Sequence, residues 1–124
     1  MFRILVTDDD ILQLDLRKQL LEIAGYRVDA AFTASQTLNE IQKHSPDLVI
    51  LDLRLPNDEG NADPREGLAL IRRIRETGCS TPLLVLSGWP EDIYGQAEEQ
   101  MVSHVLLKPV RTRELIHTIA SLLT

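Results

Sequence analysis

The sequence predicts a doubly wound α/β fold, in which helices cover both faces of a parallel sheet. Short apolar runs rich in branched residues alternate along the chain with stretches of helical periodicity, and this alternation is typical of βαβ units. Two of the apolar runs are followed within two residues by Asp, which suits buried strands that end at a site. A chain of 124 residues is long enough for one core, whereas two separate cores would each be marginal. We therefore expect a single domain over residues 1–124.

Five segments carry strand signals. In chain order, strands are predicted over 4–6, 27–32, 48–51, 83–86 and 105–107. Four of them consist of Ile, Val and Leu alone, whereas 27–32 is more polar and gives a weaker signal. Parallel strands are joined by right-handed crossovers, so the helices between them are expected on both faces of the sheet.

Five segments carry helical signals. From apolar residues at helical spacing, helices are predicted over 11–24, 34–44, 68–77, 91–100 and 114–123. The apolar face predicted for the first helix carries Leu12, Leu16, Leu20 and Ile23. Gly25 is a suitable residue to end that helix. The signal over 91–100 is the weakest of the set.

Composition excludes several function classes. The net charge of −6 argues against a surface that binds duplex DNA by neutralising phosphates, so control of DNA would need another chain or domain. The basic residues near 72–75 and 111–113 fit solvated helix faces. No apolar run has the length of a bilayer span and no signal peptide pattern begins the chain, so a soluble, cytoplasmic protein without membrane contact is expected. The lone Cys79 excludes an internal disulfide.

Polar residues stand where the predicted strands end. Asp8 and Asp9 follow the first strand, Asp52 ends the third, and Ser87 and Lys108 follow the fourth and fifth. Because the carboxyl ends of parallel strands share one edge of a sheet, we expect these side chains to converge. Three carboxylates there call for a cation, and oxygen ligands suit Mg²⁺. A hydroxyl and an ammonium beside them suit a phosphate, so the pattern predicts a phosphoryl-transfer site.

The order of these residues closely resembles the receiver domain of bacterial response regulators, the CheY-like family. The matching segments are Asp-Asp, Asp-Leu-Arg-Leu-Pro, Ser-Gly and Lys-Pro at successive strand ends, and the resemblance covers essentially the whole chain. It implies a flavodoxin-like (βα)5 domain whose five-stranded parallel sheet has the order 2-1-3-4-5. It also implies a phosphorylation-controlled signalling switch, partnered by a sensor histidine kinase or phosphotransfer protein, that catalyses only its own phosphorylation and dephosphorylation.

The resemblance assigns roles to the acids and the lysine. Asp52 would be the phosphoacceptor. Asp9 would bind Mg²⁺, or Mn²⁺, directly, Asp8 would contribute mainly through a water, and the backbone carbonyl of Arg54 would complete the protein ligands. Lys108 would offset charge on the phosphoryl oxygens.

The remaining matches concern the surroundings of the acceptor. Ser87 would bond the aspartyl phosphate, and Gly88 would leave room for it. Pro109 resembles the family's cis-proline, which would aim Lys108 into the site. Pro56 matches the proline that follows the acceptor in the family.

The chain departs from the family at 57–67, where the usual turn is much shorter and ends in Asp-Gly. Turn formers and charges there predict an exposed loop that starts close to Asp52. Either the Glu-Gly pair at 59–60 or the one at 66–67 could be the counterpart of Asp-Gly. A tolerated insertion and a role in partner choice or access to the acceptor are both open.

Two further departures concern side chains around the acceptor. Val105 is at a position where the family commonly has a Tyr or Phe whose rotation accompanies phosphorylation, and valine cannot make that rotation. Arg54 and Trp89 are two residues beyond Asp52 and Ser87, where family side chains flank the phosphoryl group. A cation and an indole there predict slow self-dephosphorylation, although Trp89 could equally serve in packing or in a partner contact.

Other functions remain as alternatives. A haloacid-dehalogenase-like phosphatase would need a second Asp two residues after the nucleophile, where this chain has Arg54. A phosphate-independent pseudo-receiver scaffold is suggested by Val105, but the complete set of acids, Ser and Lys weighs against it. The chain ends with the last predicted helix, so it would act alone, or as a receiver within a longer protein, on a downstream protein target or a fused domain. A monomer or a weak dimer is expected.

The three adjacent acids are expected to have different jobs. Asp8 and Asp9 would tolerate each other because a metal binds, whereas Asp10 is expected to cap the following helix. Neutralising Asp9 should then abolish phosphorylation while sparing or raising stability. The histidines His44, His104 and His117 show no local metal-ligand spacing and are expected to be surface or partly packed residues.

Overall fold

The computed structural model describes residues 1–124 and contains one main sheet and one small hairpin. In chain order the strands are β1 (Arg3–Thr7), β2 (Arg27–Ala31), β3 (Leu48–Asp52), β4 (Leu55–Pro56), β5 (Ala62–Asp63), β6 (Leu83–Ser87) and β7 (His104–Leu107). Five strands form a sheet in the order β2-β1-β3-β6-β7, and all four neighbouring pairs are parallel. β4 and β5 pair separately as an antiparallel hairpin. Apart from that hairpin, the order is the predicted 2-1-3-4-5.

Helices cover both faces of the sheet. They are α1 (Ile11–Ile23), α2 (Ala34–His44), α3 (Pro64–Glu76) and α4 (Thr112–Leu122). Because side chains alternate along a strand, Ile4 and Val6 pack in the cluster under α1 and α4, whereas Leu5 packs in the cluster under α2 and α3. The predicted doubly wound arrangement is therefore confirmed. None of the helices combines the length and the apolar character needed to cross a bilayer.

The predicted helix over 91–100 is wrong. Two short 3₁₀ segments, Pro90–Asp92 and Ala97–Met101, occupy that part of the chain. Gly95 lies between them with φ of +85°, a left-handed conformation that an α-helix does not contain. The repeating unit after β6 therefore has no α-helix, and the described chain has four α-helices instead of the predicted five.

The apolar face predicted for α1 is largely on the outside. Leu12, Leu16 and Ile23 are exposed, whereas Leu14 and Leu21 are buried against the sheet. Apolar residues occur on more than one side of this helix, so periodicity alone did not define the face that packs on the sheet. The result is a row of exposed aliphatic side chains on α1.

The loop predicted over 57–67 is shorter in the structure. Its residues 62–63 form β5, and α3 begins at Pro64, four residues before the predicted start. Asp63 caps the helix by accepting a hydrogen bond from the Arg65 backbone N–H at 2.9 Å, and proline is well suited to the first helical position. Only the turn between β4 and β5 is irregular.

Candidate functional site

The predicted acidic residues meet at the carboxyl ends of the strands. Asp8 and Asp9 follow β1, and the parallel register places Thr7 beside Leu51, so Asp52 at the end of β3 lies next to them. One carboxylate oxygen from each acid lies within 4.8 Å of the others. A cavity of about 290 Å³ opens over them and is also lined by Arg54, Trp89 and other polar residues.

Asp8 is the buried acid of the three, with 1% of its surface exposed. Its Oδ2 accepts a hydrogen bond from Arg17 Nη1 at 3.2 Å and lies 3.8 Å from Lys108 Nζ. Its Oδ1 accepts the Asp10 backbone N–H at 3.0 Å. Two cations and a backbone donor therefore offset this buried charge. Sequence reasoning missed Arg17, since no family motif includes it.

Asp9 has no such cation partner and is exposed to the cavity. Partial desolvation raises its pKa, and the negative charges of Asp8 and Asp52 raise it further. Asp10 faces the helix, where its side chain accepts the Gln13 backbone N–H at 3.3 Å and caps α1, as predicted. The three neighbouring acids thus have three different environments.

Asp52 is half-buried between two donors. Its Oδ2 accepts a hydrogen bond from Lys108 Nζ at 2.9 Å, and its Oδ1 accepts the Arg54 backbone N–H at 3.2 Å. Lys108 comes from the end of β7, and its peptide bond to Pro109 is cis, as the resemblance implied. The ammonium therefore lies where it can neutralise charge that develops on or next to the Asp52 carboxylate.

The segment after β6 faces the same cavity. The buried Ser87 hydroxyl donates to the Trp89 carbonyl at 3.0 Å and accepts the Trp89 backbone N–H at 3.1 Å, so its hydrogen bonds close a local turn. A side chain added at Gly88 would meet no atom within 4 Å. The space beside Gly88 is therefore open, while Ser87 is engaged with its own loop.

Arg54 and Trp89 contact each other at the cavity wall. The guanidinium carbon lies 3.6 Å from the centre of the indole ring. Asp92 binds the same guanidinium through two hydrogen bonds, from Nε at 2.9 Å and from Nη2 at 3.3 Å, and it raises the pKa of Arg54. Sequence reasoning predicted Arg54 and Trp89 as neighbours of the site but missed Asp92, which lies 38 residues further along the chain.

The start of α3 packs directly on the loop that follows the acceptor. Gly67 donates its backbone N–H to the Leu53 carbonyl at 2.9 Å, and a Cβ at Gly67 would lie 2.3 Å from Leu53 Cα. Only glycine fits this close approach. Gly60 instead lies in the hairpin turn with φ of +82°, so Gly67 is the glycine that contacts the acceptor loop.

Pro56 and Val105 occupy structural positions near the site. Pro56 pairs with Ala62 in the small hairpin, and Ala62 lines the acceptor cavity. Val105 lies beside Val85 in the sheet and packs, half-buried, against the core under α2 and α3. Valine therefore fills a packing position in this strand.

A second group of possible ligands lies on the α2 side of the sheet. Asp29, Glu40 and His44 each offer an atom within 4.8 Å of the others. Arg3 reaches into this group, with Nε 3.4 Å from Asp29 Oδ2 and Nη1 3.2 Å from His44 Nδ1. His44 is half-buried, as expected. The sequence showed only the spacing of Glu40 and His44 on one helix, because the pairing of β1 with β2 supplies the other two residues.

Comparison with known families identifies the fold and the class. The family model described as the response regulator receiver domain matches residues 4–120. The chain belongs to this family. It is therefore a CheY-like receiver of two-component signalling, and the match favours this class over a haloacid-dehalogenase-like phosphatase.

Curated relatives extend beyond the length of this chain. The virulence transcriptional regulatory protein PhoP of Salmonella typhimurium is 38% identical over 96 residues, covering 75% of this chain and 40% of the relative. The transcriptional regulatory protein PhoP of Escherichia coli is 38% identical over 85 residues, covering 68% and 35%. The chain thus spans 35–40% of the length of these relatives.

Solved structures share the whole fold. A CheY-like receiver domain from Methylobacillus flagellatus has a TM-score of 0.83 with 23% identity, and the match covers 98% of each chain. The response regulator TrrA from Thermotoga maritima, solved in complex with Mg(2+)-BeF, has a TM-score of 0.84 with 26% identity and covers 98% of this chain and 99% of its own. These likenesses confirm the predicted receiver fold.

Proposed function

We propose that this protein is a switch controlled by phosphorylation of Asp52, which receives the phosphoryl group from a phosphohistidine of a sensor histidine kinase or phosphotransfer protein. One observation carries the proposal: the Asp52 carboxylate lies 2.9 Å from Lys108 Nζ and within 4.8 Å of an oxygen of each of two further acids, at an open cavity. Carboxylates beside a fixed ammonium are the parts that phosphoryl transfer requires, since the chemistry depends mainly on positioning and charge.

In the transfer, an Asp52 oxygen attacks phosphorus while the bond from phosphorus to the histidine nitrogen breaks. The bonding electron pair returns to that nitrogen, and an acyl phosphate forms. Lys108 is already hydrogen-bonded to Asp52 Oδ2, and it would donate to a negatively charged phosphoryl oxygen after the transfer. The Arg54 backbone N–H would continue to hold Oδ1, which keeps the carboxylate in a fixed orientation.

The acids provide a suitable donor set for Mg²⁺ or Mn²⁺. Asp9 and Asp52 would bind the ion directly together with the Arg54 backbone carbonyl, and Asp8 would act mainly through a water because its oxygens already accept other hydrogen bonds. Partial burial and the charges of Asp8 and Asp52 raise the pKa of Asp9. No cation of the protein pairs with this carboxylate. When bound, the metal supplies positive charge that offsets the phosphoryl oxygens during transfer.

Ser87 and Gly88 would complete the pocket for the acyl phosphate. The Ser87 hydroxyl currently donates to the Trp89 carbonyl, so bonding a phosphoryl oxygen would require it to turn. Gly88 leaves that space free. Arg54 and Trp89 stand at the wall and would hinder water from reaching the phosphoryl group, so Trp89→Ala should shorten the lifetime of the acyl phosphate. An unchanged lifetime would remove this shielding role.

The small hairpin would shape access to the acceptor, because Ala62 of β5 lines the cavity. Deleting 58–60 shortens the turn while retaining Gly67 and the cap of α3. If the hairpin selects the partner, phosphotransfer from the cognate kinase should slow while labelling by a small phosphodonor is retained. Equal kinase transfer with and without 58–60 would show a tolerated insertion.

The output would be a change in partner binding by the receiver formed by residues 1–124. Both PhoP relatives are described as transcriptional regulatory proteins. With a net charge of −6, this chain would act on DNA only through a fused domain or a downstream protein.

Intact-mass measurement tests the central step. After incubation with acetyl phosphate and Mg²⁺, the wild type should gain one phosphoryl group, and Asp52→Asn should gain none. Asp58→Asn, an exposed acid in the hairpin turn, is the matched control and should label like the wild type. A folded wild type without added mass, or an Asp52→Asn variant that labels equally, would refute phosphorylation at Asp52 and favour a phosphate-independent scaffold.

A further inference from the structure

The ion pair between Arg54 and Asp92 is enclosed and bidentate. The side chains are 30% and 9% exposed, and two nitrogens of one guanidinium donate to both oxygens of one carboxylate. Pairs of this geometry are stronger and better defined than single surface contacts. Arg54 is the only cation that Asp92 contacts within salt-bridge distance.

The pair connects two segments that both border the acceptor. Arg54 follows Asp52 on the loop after β3, donates its backbone N–H to Asp52 and lines the acceptor cavity. Asp92 lies across from it in the 3₁₀ turn Pro90–Asp92, where its own N–H bonds the Trp89 carbonyl. A change in the position of the guanidinium would therefore alter the contacts of Asp92 in the segment after β6.

That segment is anchored differently at its two ends. Its far end is tied to α3, since Arg72 donates to Glu98 at 3.0 Å and Arg75 donates to the Met101 carbonyl. Its near end has Asp92 and the buried Ile93. Gly95 lies between the two ends and donates its backbone N–H to Glu99 Oε1 at 2.9 Å. Release of Asp92 would therefore act on 90–96 and leave 98–101 in place.

We propose that Asp92 is a positioning residue that holds Arg54 against Trp89 and releases it to the phosphoryl group on Asp52, which couples phosphorylation to residues 90–96. The inference rests on the proposed function. A phosphoryl group carries a charge of about −1.5 to −2 and three acceptor oxygens, so it competes strongly with Asp92 for a guanidinium in the same cavity. Once its cation turns away, the enclosed Asp92 carboxylate needs water, and the turn must open. Val105 cannot supply an aromatic rotation, so the ion pair provides a different route for the signal.

Beryllium fluoride with Mg²⁺ serves as a stable stand-in for the phosphoryl group, and the single Trp89 reports its binding by fluorescence. The Asp92→Asn variant should bind the probe at least about fivefold more tightly, because a neutral amide replaces the carboxylate that competes for Arg54. A change of about fivefold is at the lower end of the coupling expected between linked sites. Asp92→Glu should restore affinity toward the wild-type value. In an Arg54→Gln background, Asp92→Asn should have no further effect. Glu98→Gln, which removes the other ion pair of this segment, is the matched control and should bind as the wild type does.

Amide hydrogen exchange provides the second readout. Adding Mg²⁺ and beryllium fluoride should speed exchange in 90–96 of the wild type and leave 98–101 unchanged, whereas Asp92→Asn should exchange fast in 90–96 with or without the probe. If probe binding is normal but indifferent to Asp92→Asn, this inference is overturned while phosphorylation at Asp52 stands. A wild type that neither binds the probe nor gains mass with acetyl phosphate overturns both.

Discussion

Two groups of acidic residues in this protein have similar ligand spacing but differ in how their ligand atoms are partnered and in how open they are to solvent. Three ligand atoms lie within 4.8 Å of one another both at the acceptor edge and in the group formed by Asp29, Glu40 and His44. In the second group Arg3 contacts both Asp29 and His44, so a guanidinium already occupies the place of a cation. At the acceptor edge, Arg17 and Lys108 contact Asp8 and Asp52, whereas Asp9 has no cation partner.

The difference shows that spacing alone does not make a metal site. Arg3 donates to His44 Nδ1, so a neutral His44 carries its proton on Nε2 and offers Glu40 a donor instead of offering a metal a lone pair. At the acceptor edge, Asp9 faces an open cavity and lacks a cation. A carboxylate without a cation partner, open to solvent, distinguishes the site that suits Mg²⁺.

The largest expected effect comes from Arg17→Gln, which leaves Asp8 nearly fully buried with only the more distant Lys108. Removing one partner of a buried ion pair costs roughly 3–5 kcal/mol, and Mg²⁺ should restore part of the loss. Urea unfolding in EDTA and in Mg²⁺ measures both quantities. Arg65→Gln is the control, because Arg65 is 85% exposed whereas Arg17 is 13% exposed. Equal losses for the two variants would show that Asp8 does not depend on Arg17.

Arg3→Gln should leave the second group without its cation. Asp29 Oδ2 has no hydrogen-bond donor and loses its ion-pair partner in this variant, a change that costs about 1 kcal/mol or less for a partly exposed pair. If the Arg3 guanidinium is what excludes a metal ion, Zn²⁺ should raise the melting temperature of the variant and not that of the wild type. Adding Glu40→Gln should cancel the Zn²⁺ effect. Zn²⁺ stabilisation of the wild type would contradict the role assigned to Arg3.

Asp9→Asn should stabilise the metal-free protein by about 1 kcal/mol or less, since Asp9 is exposed and water screens its repulsion from the other acids. The gain in stability should be complete at pH values well above the raised pKa of Asp9. It should shrink as the pH falls through that pKa, because a protonated Asp9 no longer repels Asp8 and Asp52. Mg²⁺ should no longer stabilise this variant. Thermal melts across pH in EDTA measure the difference, and Glu40→Gln should give no such gain. A loss of stability in the Asp9→Asn variant would contradict the repulsion assigned to Asp9.

The smallest effect is expected at Asp63, an acid whose cation partner Arg65 is 85% exposed. Hydrogen bonds from Arg65 lower the pKa of Asp63 to about 2. A lowered pKa contributes stability above the ordinary carboxyl pKa, and that contribution is lost as pH falls through about 2. The cap of α3 should therefore persist in mild acid, and Asp63→Asn should reduce the pH dependence of unfolding only below pH ~4, the ordinary range of Asp. An NMR titration that found an ordinary carboxyl pKa for Asp63 would contradict this prediction.

Much of the fold could be predicted because its signals are local. Apolar runs that end in Asp, and stop signals such as Gly25, lie within a few residues of the elements they define, and the order of the strand-end residues matched a family. Where the local signal was ambiguous, prediction failed. α1 has apolar residues on several sides, and the segment around Gly95 has helical spacing but a left-handed glycine in its middle.

The sequence by itself determined which residues stand at the strand ends, so it placed Asp8, Asp9, Asp52 and Lys108 at one edge and made Asp10 a helix cap. Only the tertiary structure decided which charges meet: Arg17 with Asp8, Asp92 with Arg54, and Arg3 with Asp29. The physical reason is that a helix cap forms between near neighbours, whereas an ion pair between distant residues exists only after packing has fixed both partners. The packed structure therefore decides which acid is left to bind a cation.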